Sequence, residues 1–260
     1  MIKLRAWVAA IAPPMIWGAL FLIAWERFVV WRDIKPFVLP QPSRIWDQWK
    51  INKTGIVSTA KATGANALWG LVIGALLAVA VALVAQRFRV MRELIAPLSA
   101  AANTMPIVAL GPIFYNVFGT TSLTARRMVV ALVVFFPVFV NMLKGLTQVD
   151  PVHEELMNSY AASPLQILRQ VRLPNALPFL LTGLRIGASL AVIAAVVVEY
   201  FGGLQNGLGS RVTSAMKQSA TAKAWAYIAA AGILGLLFYL SALIIEWIAM
   251  PWQRRRSQAR

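Results

Sequence analysis

The 260-residue sequence holds few groups able to make or break covalent bonds: no cysteine, one histidine and nine acidic residues. Without a thiol there is no thiolate nucleophile, disulfide or zinc–thiolate cluster. His153 has no companion ligand in sequence and reads as a polar loop residue rather than a metal or proton site. An enzyme would need a nucleophile–base pair or a metal cluster, and no such set is visible. No Gly-x-x-x-x-Gly-Lys-Ser/Thr occurs, so nucleotide has no P-loop here. The reading therefore expects no catalytic residue, cofactor or metal on this chain. What remains is a polar stretch rich in helix-capping chemistry at 150–174, and a few polar side chains set inside apolar runs. Of these, Glu199 closes an apolar run beside Tyr200 and reads either as an interfacial charge next to a glycine loop or as a pathway or gate residue. Asn103, Thr104 and Met105, next to Pro106, lean towards a translocation path, whereas Asn116 and Asn141 lean towards bridging between helices. Glu26 and Glu246 sit beside Trp25 and Trp247 and read as interface anchors.

The elements that must position these groups are written in the composition. Fifty-nine per cent of the residues are hydrophobic, 13% are charged, and the mean hydropathy is +0.68. A soluble domain of this length needs about 25% charged residues to cover its surface, so the solvent this chain expects is lipid. The net charge of +16 would suggest nucleic acid in a soluble protein. Here the basic residues gather in short loops and at the tail Arg254, Arg255, Arg256 and Arg260, where anionic headgroups attract them. Nucleic acid is not an expected partner.

Six stretches approach the roughly 20 helical residues needed to cross a hydrocarbon core: 7–30, 63–85, 94–118, 128–144, 176–201 and 225–252. The first is too long for a signal h-region and lacks a small-x-small cleavage site, so it reads as a retained span. Gly64, Gly70 and Gly74 in the second would allow close helix approach, as would Gly183 and Gly187 in the fifth. The third carries Pro97, Pro106 and Pro112, which break the backbone ladder and require burial in protein or a cavity. Trp46 and Trp49 suit a short interfacial helix around 45–49. No repeat or soluble domain interrupts this pattern, and residues 1–260 read as a single all-α polytopic membrane domain. Charge does not orient it: twelve basic residues fall in the segments on one side and eleven in those on the other, the latter including Arg126 and Arg127.

The capping stretch is the most informative. Asp150 can cap a helix that Pro151 begins, with Glu154 and Glu155 in its first turn. Ser163-Pro164 gives a break and a second start. Leu165, Leu168, Val171 and Leu173 supply an apolar stripe, and Leu173-Pro174 with Pro178 should end the second helix before the next span. A helix–turn–helix projecting on one side is shaped to dock into a partner. Arg169 and Arg172 could face an acidic partner or lipid phosphate.

This stretch resembles the cytoplasmic coupling loop of binding-protein-dependent ABC importer permeases, Glu-Ala-Ala, three residues, Gly, nine residues, Ile/Val-x-Leu-Pro. Glu155 stands at the Glu, Val171-Arg-Leu-Pro174 at the end, Leu156 and Met157 at the alanines and Ala161 at the glycine. Val38-Leu-Pro-Gln-Pro-Ser43, Asn103-Thr-Met-Pro106, Leu177-Pro-Phe-Leu-Leu-Thr-Gly-Leu-Arg185 and Val198-Glu-Tyr-Phe-Gly-Gly203 extend the resemblance to the nitrate, sulfonate and taurine branch. Asn158-Ser-Tyr-Ala-Ala-Ser163 is closer to permeases for riboflavin-like vitamins or pyrimidine-like solutes. The resemblance implies a type I permease fold of about six transmembrane helices in a bacterial inner membrane, with residues 150–174 and both termini cytoplasmic. It also implies two P-loop ATPases that bind the ATP and Mg, a second permease, identical or homologous, and an external solute-binding protein. The ATPase-coupling residues would be Glu155, Leu156, Met157, Tyr160, Ala161, Ala162, Ser163, Leu173 and Pro174. The competing reading, an ion-coupled secondary transporter, would need buried charges in a relay and internal repeats.

Overall fold

The computed structural model describes residues 2–104 and 106–250, with the side chains of residues 2–11 and of a few others near Asn103 outside the description. Met105 and the basic tail lie outside the described residues. Within them the chain is helical, with no strand. Helix α1 runs Ile2–Trp31, α2 Pro42–Ile51, α3 Lys53–Ala85, α4 Arg89–Glu93, α5 Ile95–Thr104 and α6 Ile107–Phe118. They are followed by α7 Leu123–Thr147, α8 Pro151–Ser159, α9 Pro164–Ile167, α10 Leu173–Phe201, α11 Leu208–Lys217 and α12 Thr221–Ala249.

Five stretches are long and apolar enough to cross a membrane: Ala12–Trp31, Lys53–Ala85, Leu123–Thr147, Pro164–Phe201 and Thr221–Ala249. The expected third span is instead two short helices, α5 and α6, because Pro106 cannot donate to the ladder and disfavours helix at the residue before it. At 1.5 Å per residue, the 12 residues of α6 reach only about 18 Å. Other boundaries move outward. α3 begins ten residues before the expected 63, since Lys53 and Lys61 continue its helix above the apolar region. α7 begins at Leu123, where the Ser122 side chain accepts from the amide of Thr124. Arg126 and Arg127, expected in a loop, are therefore helical.

α7 is the axis of the bundle, flanked by α3 and α10, with α5 and α6 also against it. Glycine sets its distances. A Cβ at Gly70 would fall on Val130, and one at Gly74 on the Ala131 carbonyl. One at Gly145 would sit 2.7 Å from Ala176 Cα, and one at Gly183 3.0 Å from Val138 Cα. Lipid offers apolar groups no reason to associate, so such close backbone packing is what holds spans together. The core between these helices is Val129, Val130, Val134, Val138, Leu143, Ala191, Ala195 and Val198, all buried. A second cluster, of Ile56, Leu208, Val212 and Tyr227, sits where α11 meets α12. α1 stands apart, touching α2 and, through Trp25, Trp225.

Candidate functional site: a coupling element and a buried charge network

At one end of the bundle, α8 and α9 form the helix–turn–helix that the caps foretold. The Asp150 carboxylate accepts from the Val152 amide at 3.0 Å, with Pro151 opening the helix. Ser163 and Gln166 cap α9 reciprocally, at 2.6 and 3.4 Å. Between them the chain turns by a Schellman motif: Ala162 N–H donates to Met157 O at 3.0 Å and Ala161 N–H to Asn158 O at 2.9 Å. Ala161 takes φ +54°, the left-handed region that favours glycine. That is the physical content of the glycine in the resembling pattern.

The expected stop at Leu173-Pro174 does not occur. Leu168–Arg172 form a π-turn, with the Leu173 amide donating to Leu168 O, and the helix continues as α10. The wider turn carries the chain past Pro174, whose missing N–H would interrupt an α-helical ladder. Leu168, Val171 and Leu173 are half-buried as expected, but Leu165 is exposed because α9 is only four residues long and stands off the bundle. Two contacts fix the element. Arg172 Nε pairs with Glu154 Oε1 at 2.9 Å, so this arginine is held inside the chain rather than offered outward. Asn175 Nδ2 donates to Gly145 O at 2.7 Å and Gln148 O at 3.2 Å, tying the start of α10 to the end of α7.

What α8 leaves outside is apolar. Val152, Leu156 and Tyr160, spaced four apart on one face, are 65%, 52% and 78% exposed. Glu155, Ala161 and Ser163 are exposed beside them, Met157 and Ala162 half-buried, and Pro174 exposed at the base.

At the opposite end of the bundle lies a cluster of which the sequence singled out only Glu199 and none of its partners. Glu199 of α10 and Arg126 of α7 are 1% and 0% exposed, and Arg126 Nη1 lies 3.5 Å from Glu199 Oε1. Thr63 of α3 donates to Glu199 Oε2 at 2.8 Å and accepts from the Leu208 amide at 2.9 Å. The Gly209 amide donates to the same carboxylate at 3.3 Å, so Glu199 sits against the N-terminus of α11. Arg126 also donates to Tyr115 Oη at 3.1 Å, Asn206 Oδ1 at 2.8 Å and the Leu204 carbonyl. Tyr115 Oη in turn donates a hydrogen bond to Gly202 O at 3.0 Å. A Cβ at Gly207 would land on the Glu199 carboxyl group. One ion pair thus fastens the loop 202–207 and α11 to three spans.

Glu199 therefore faces protein. Thr104, the described member of the other proposed path residues, is exposed on α5, and the Asn103 side chain and Met105 lie outside the description. Asn141 bonds its own helix, at Pro137 O (2.7 Å), instead of bridging. Glu26 accepts from Ser43 N and Oγ at 3.0 and 2.8 Å, pinning α1 to α2. Glu246 pairs with Arg185 at 3.1 Å, a contact between α12 and α10 that sequence reading did not foresee.

Residues 70–253 match the protein family described as the binding-protein-dependent transport system inner membrane component. The chain belongs to that family. It is 31% identical, over 94% of its length and 96% of the relative's, to the formylaminopyrimidine transport permease protein ThiX of Halalkalibacterium halodurans. It is 28% identical to the riboflavin transport system permease protein RibX of Chloroflexus aurantiacus, over 90% and 87% of the two chains. It is 26% identical to the taurine transport system permease protein TauC of Escherichia coli, over 90% and 87%. A solved structure described as an amino acid ABC transporter with histidines shares the fold. That match has a TM-score of 0.57 and 17% identity, and covers 78% of this chain and 94% of that one. The protein is the multi-pass permease subunit of an ABC importer, of the nitrate/sulfonate/taurine branch, and not an ion-coupled carrier.

Proposed function

We propose that this permease works as one half of a permease pair, identical or homologous, that imports a small vitamin-like or heteroaromatic solute handed over by an external binding protein. Residues 1–260 act as one permease domain in a bacterial inner membrane. Residues 150–174 and both termini are cytoplasmic, and segments 32–61 and 202–223 are external. Two partner ATPases bind the ATP and Mg. Their closure moves the coupling residues, Glu155 to Ser163 with Leu173 and Pro174 at the base, and the spans switch from inward- to outward-facing. Asn103, Thr104 and Met105, at the proline break, border the path. Glu199 gates it indirectly, by fixing the outer loop.

The observation that carries this reading is the exposed row Val152, Leu156 and Tyr160 on α8, an apolar face on an element that projects from the bundle. Large apolar groups left in water mark a docking surface, and Glu155 beside them supplies a charge to set its register. The relatives named for formylaminopyrimidine and riboflavin transport support a small heteroaromatic solute. The test is a pull-down of the tagged full-length protein from mild detergent. Recovery of a P-loop ATPase, and its loss in a Glu155→Arg variant that still inserts in the membrane, is the expected result. A companion-free protein that transports in proteoliposomes without ATP would overturn it.

A further inference from the structure

Among the described side chains, α1 is joined to the rest of the molecule at its polar end, through Ser43 of α2 and Trp225 of α12, and the junction there is open. Between α1 and α12 lies an apolar cleft of about 450 Å³, lined by Phe21, Ala24, Trp25, Phe28, Leu39 and Trp225. Phe21, Trp25 and Phe28 follow the i, i+4, i+7 spacing of one helix face, so the cleft runs as a stripe down α1 into the span. It holds an unanswered donor. Trp25 Nε1 is buried and has no acceptor among the described residues. An indole N–H can only donate, and buried donors are almost always paired. The cleft therefore calls for an occupant that is apolar along its length and carries an oxygen beside Trp25.

The polar end of the same junction is cationic. Phe37 and Lys223, each two residues before the Leu39 and Trp225 of the first cleft, wall a second one of about 500 Å³ with Arg44, Asp47 and Gln48. Asp47 is engaged by Lys50 at 3.5 Å, whereas Arg44 and Lys223 have no acidic partner among the described residues. The walls are fixed. Thr221 Oγ1 donates to Phe37 O at 3.0 Å, and Ile45 and Trp49 of α2 pack with Leu208, Val212 and Tyr227.

We infer that this junction binds an anionic glycerophospholipid, in the leaflet on the side of the loop 202–207. The headgroup phosphate sits between Arg44 and Lys223, an ester carbonyl accepts from Trp25 Nε1, and one acyl chain lies along Phe21, Trp25 and Phe28. Neither cleft alone selects this occupant: the apolar one suits any hydrocarbon and the polar one any small anion. A phospholipid joins chain, ester oxygens and phosphate in the order in which the two clefts present their partners, and it is the solvent around the span. Two unpaired cations favour an anionic headgroup, with charge-assisted bonds to its phosphate, over a zwitterionic one that brings a cation of its own. Trp25, Trp46 and Trp225 place the junction at headgroup depth, where indoles settle. The bound lipid completes packing that the protein leaves open, so the position of α1 depends on it. The site needs only lipid around the spans and does not depend on which solute is carried.

The test is native mass spectrometry of the purified full-length protein in mild detergent, supplied with equal amounts of phosphatidylglycerol and phosphatidylcholine carrying the same acyl chains. The wild type should retain phosphatidylglycerol in preference. Arg44→Gln and Lys223→Gln should each lower that preference by about fivefold. Trp25→Phe should lower retention of both lipids and leave their ratio unchanged; Phe21→Ala, at the deep end of the stripe, replaces it if that variant does not fold, with the same result expected. Thermal melts separate the two sources of phosphate: phosphatidylglycerol should protect the wild type and millimolar inorganic phosphate should not. Equal retention of the two lipids by the wild type, or a preference that survives Arg44→Gln with Lys223→Gln, would overturn the site. Equal protection by inorganic phosphate would overturn it in favour of a free-anion site. Because the sequence has no cysteine, Ala24→Cys reports the remaining occupant. A lipid-free dimer bridged at that position would show that a second copy of the chain fills the cleft, and would overturn the lipid.

Discussion

Replacing Glu199 by Gln keeps the shape of the side chain and removes one charge from the interior. The substitution leaves Arg126 fully buried, with its neutral partners Tyr115, Asn206 and the Leu204 carbonyl but no counter-charge. Breaking a buried pair by removing one partner costs about 3–5 kcal/mol, because the surviving ion was desolvated for the pair. The amide can still accept from Thr63 and the Gly209 amide, so the lower end, about 3 kcal/mol, is expected. On the scaling of soluble domains of 150–250 residues that lowers Tm by roughly 6–12 °C. Arg126→Met should cost a similar amount, about 3–5 kcal/mol, for the mirror-image reason.

The double variant decides the argument. With both charges gone, no uncompensated ion remains, and a buried pair replaced by neutral groups is often close to neutral in stability. Glu199→Gln with Arg126→Met should therefore be far less damaging than the singles together, which sum to about 6–8 kcal/mol, with an interaction energy of at least about 4 kcal/mol in magnitude in a double-mutant cycle. Thermal unfolding of the purified protein in detergent, read by tryptophan fluorescence, measures all four corners. Strict additivity, or a Glu199→Gln variant that melts with the wild type, would refute the claim that the pair is a closed electrostatic unit.

Other consequences follow from single contacts. Gly207→Ala forces a methyl onto the Glu199 carboxyl and should cost about 1–3 kcal/mol as overpacking, seen in the same melts. Ala161→Gly relieves the φ of +54° at the Schellman turn and should gain about 0.5–1 kcal/mol locally; hydrogen exchange at Ala161 and Ala162 should slow by roughly two- to fivefold. Asn175→Ala strips the donor from Gly145 O and Gln148 O, costs about 1 kcal/mol, and should speed exchange at the end of α7 and the start of α10. Val152→Ser with Tyr160→Ser removes apolar area that is already in water, so stability should hold within about 1 kcal/mol while ATPase recovery in the pull-down falls. An equal loss of stability would mean that α8 packs on the bundle after all.

What was legible in the sequence was local. Asp150-Pro151 and Ser163-Pro164 bring their hydrogen-bond partners within three residues, so the helix–turn–helix of α8 and α9 could be drawn before any fold was known. Hydropathy located the spans because each reports its own solvent. The Arg126–Glu199 pair was hidden because its members lie 73 positions apart and each, at a span end, looks like a membrane flank. Thr63, 136 positions from Glu199, and Tyr115, 11 from Arg126 but in a different helix, gave no sign. The one available signal was the rule that a charge in an apolar helix must find a partner, which makes an Arg and a Glu near the same end a pair to test. The π-turn was illegible for another reason: Leu173-Pro174 reads as a stop unless the wider turn that bypasses it is seen.

The two sites, at opposite ends, are joined by the same two helices. From Pro164 to Phe201 the chain is a single helical run of 38 residues, about 57 Å at 1.5 Å per residue, with the coupling turn at its start and Glu199 near its finish. α7 runs beside it from Arg126 to Gly145 and is stitched to it along the way. Gly145 meets Ala176, Gly183 meets Val138, Gly187 meets Val134, and Arg126 meets Glu199. Contacts that close admit no sliding without clashes, so the pair has to move as one body. A push on Tyr160 and Leu165 then cannot be absorbed midway. In the proposed mechanism it arrives at the loop 202–207, which Arg126 and Glu199 hold to that body, as a rotation of the loop and α11 together. On this account the glycines between α7 and α10 matter as much to coupling as the residues at either end. On the proposed coupling role, loosening one of them should leave ATPase docking intact and weaken the response at the loop 202–207.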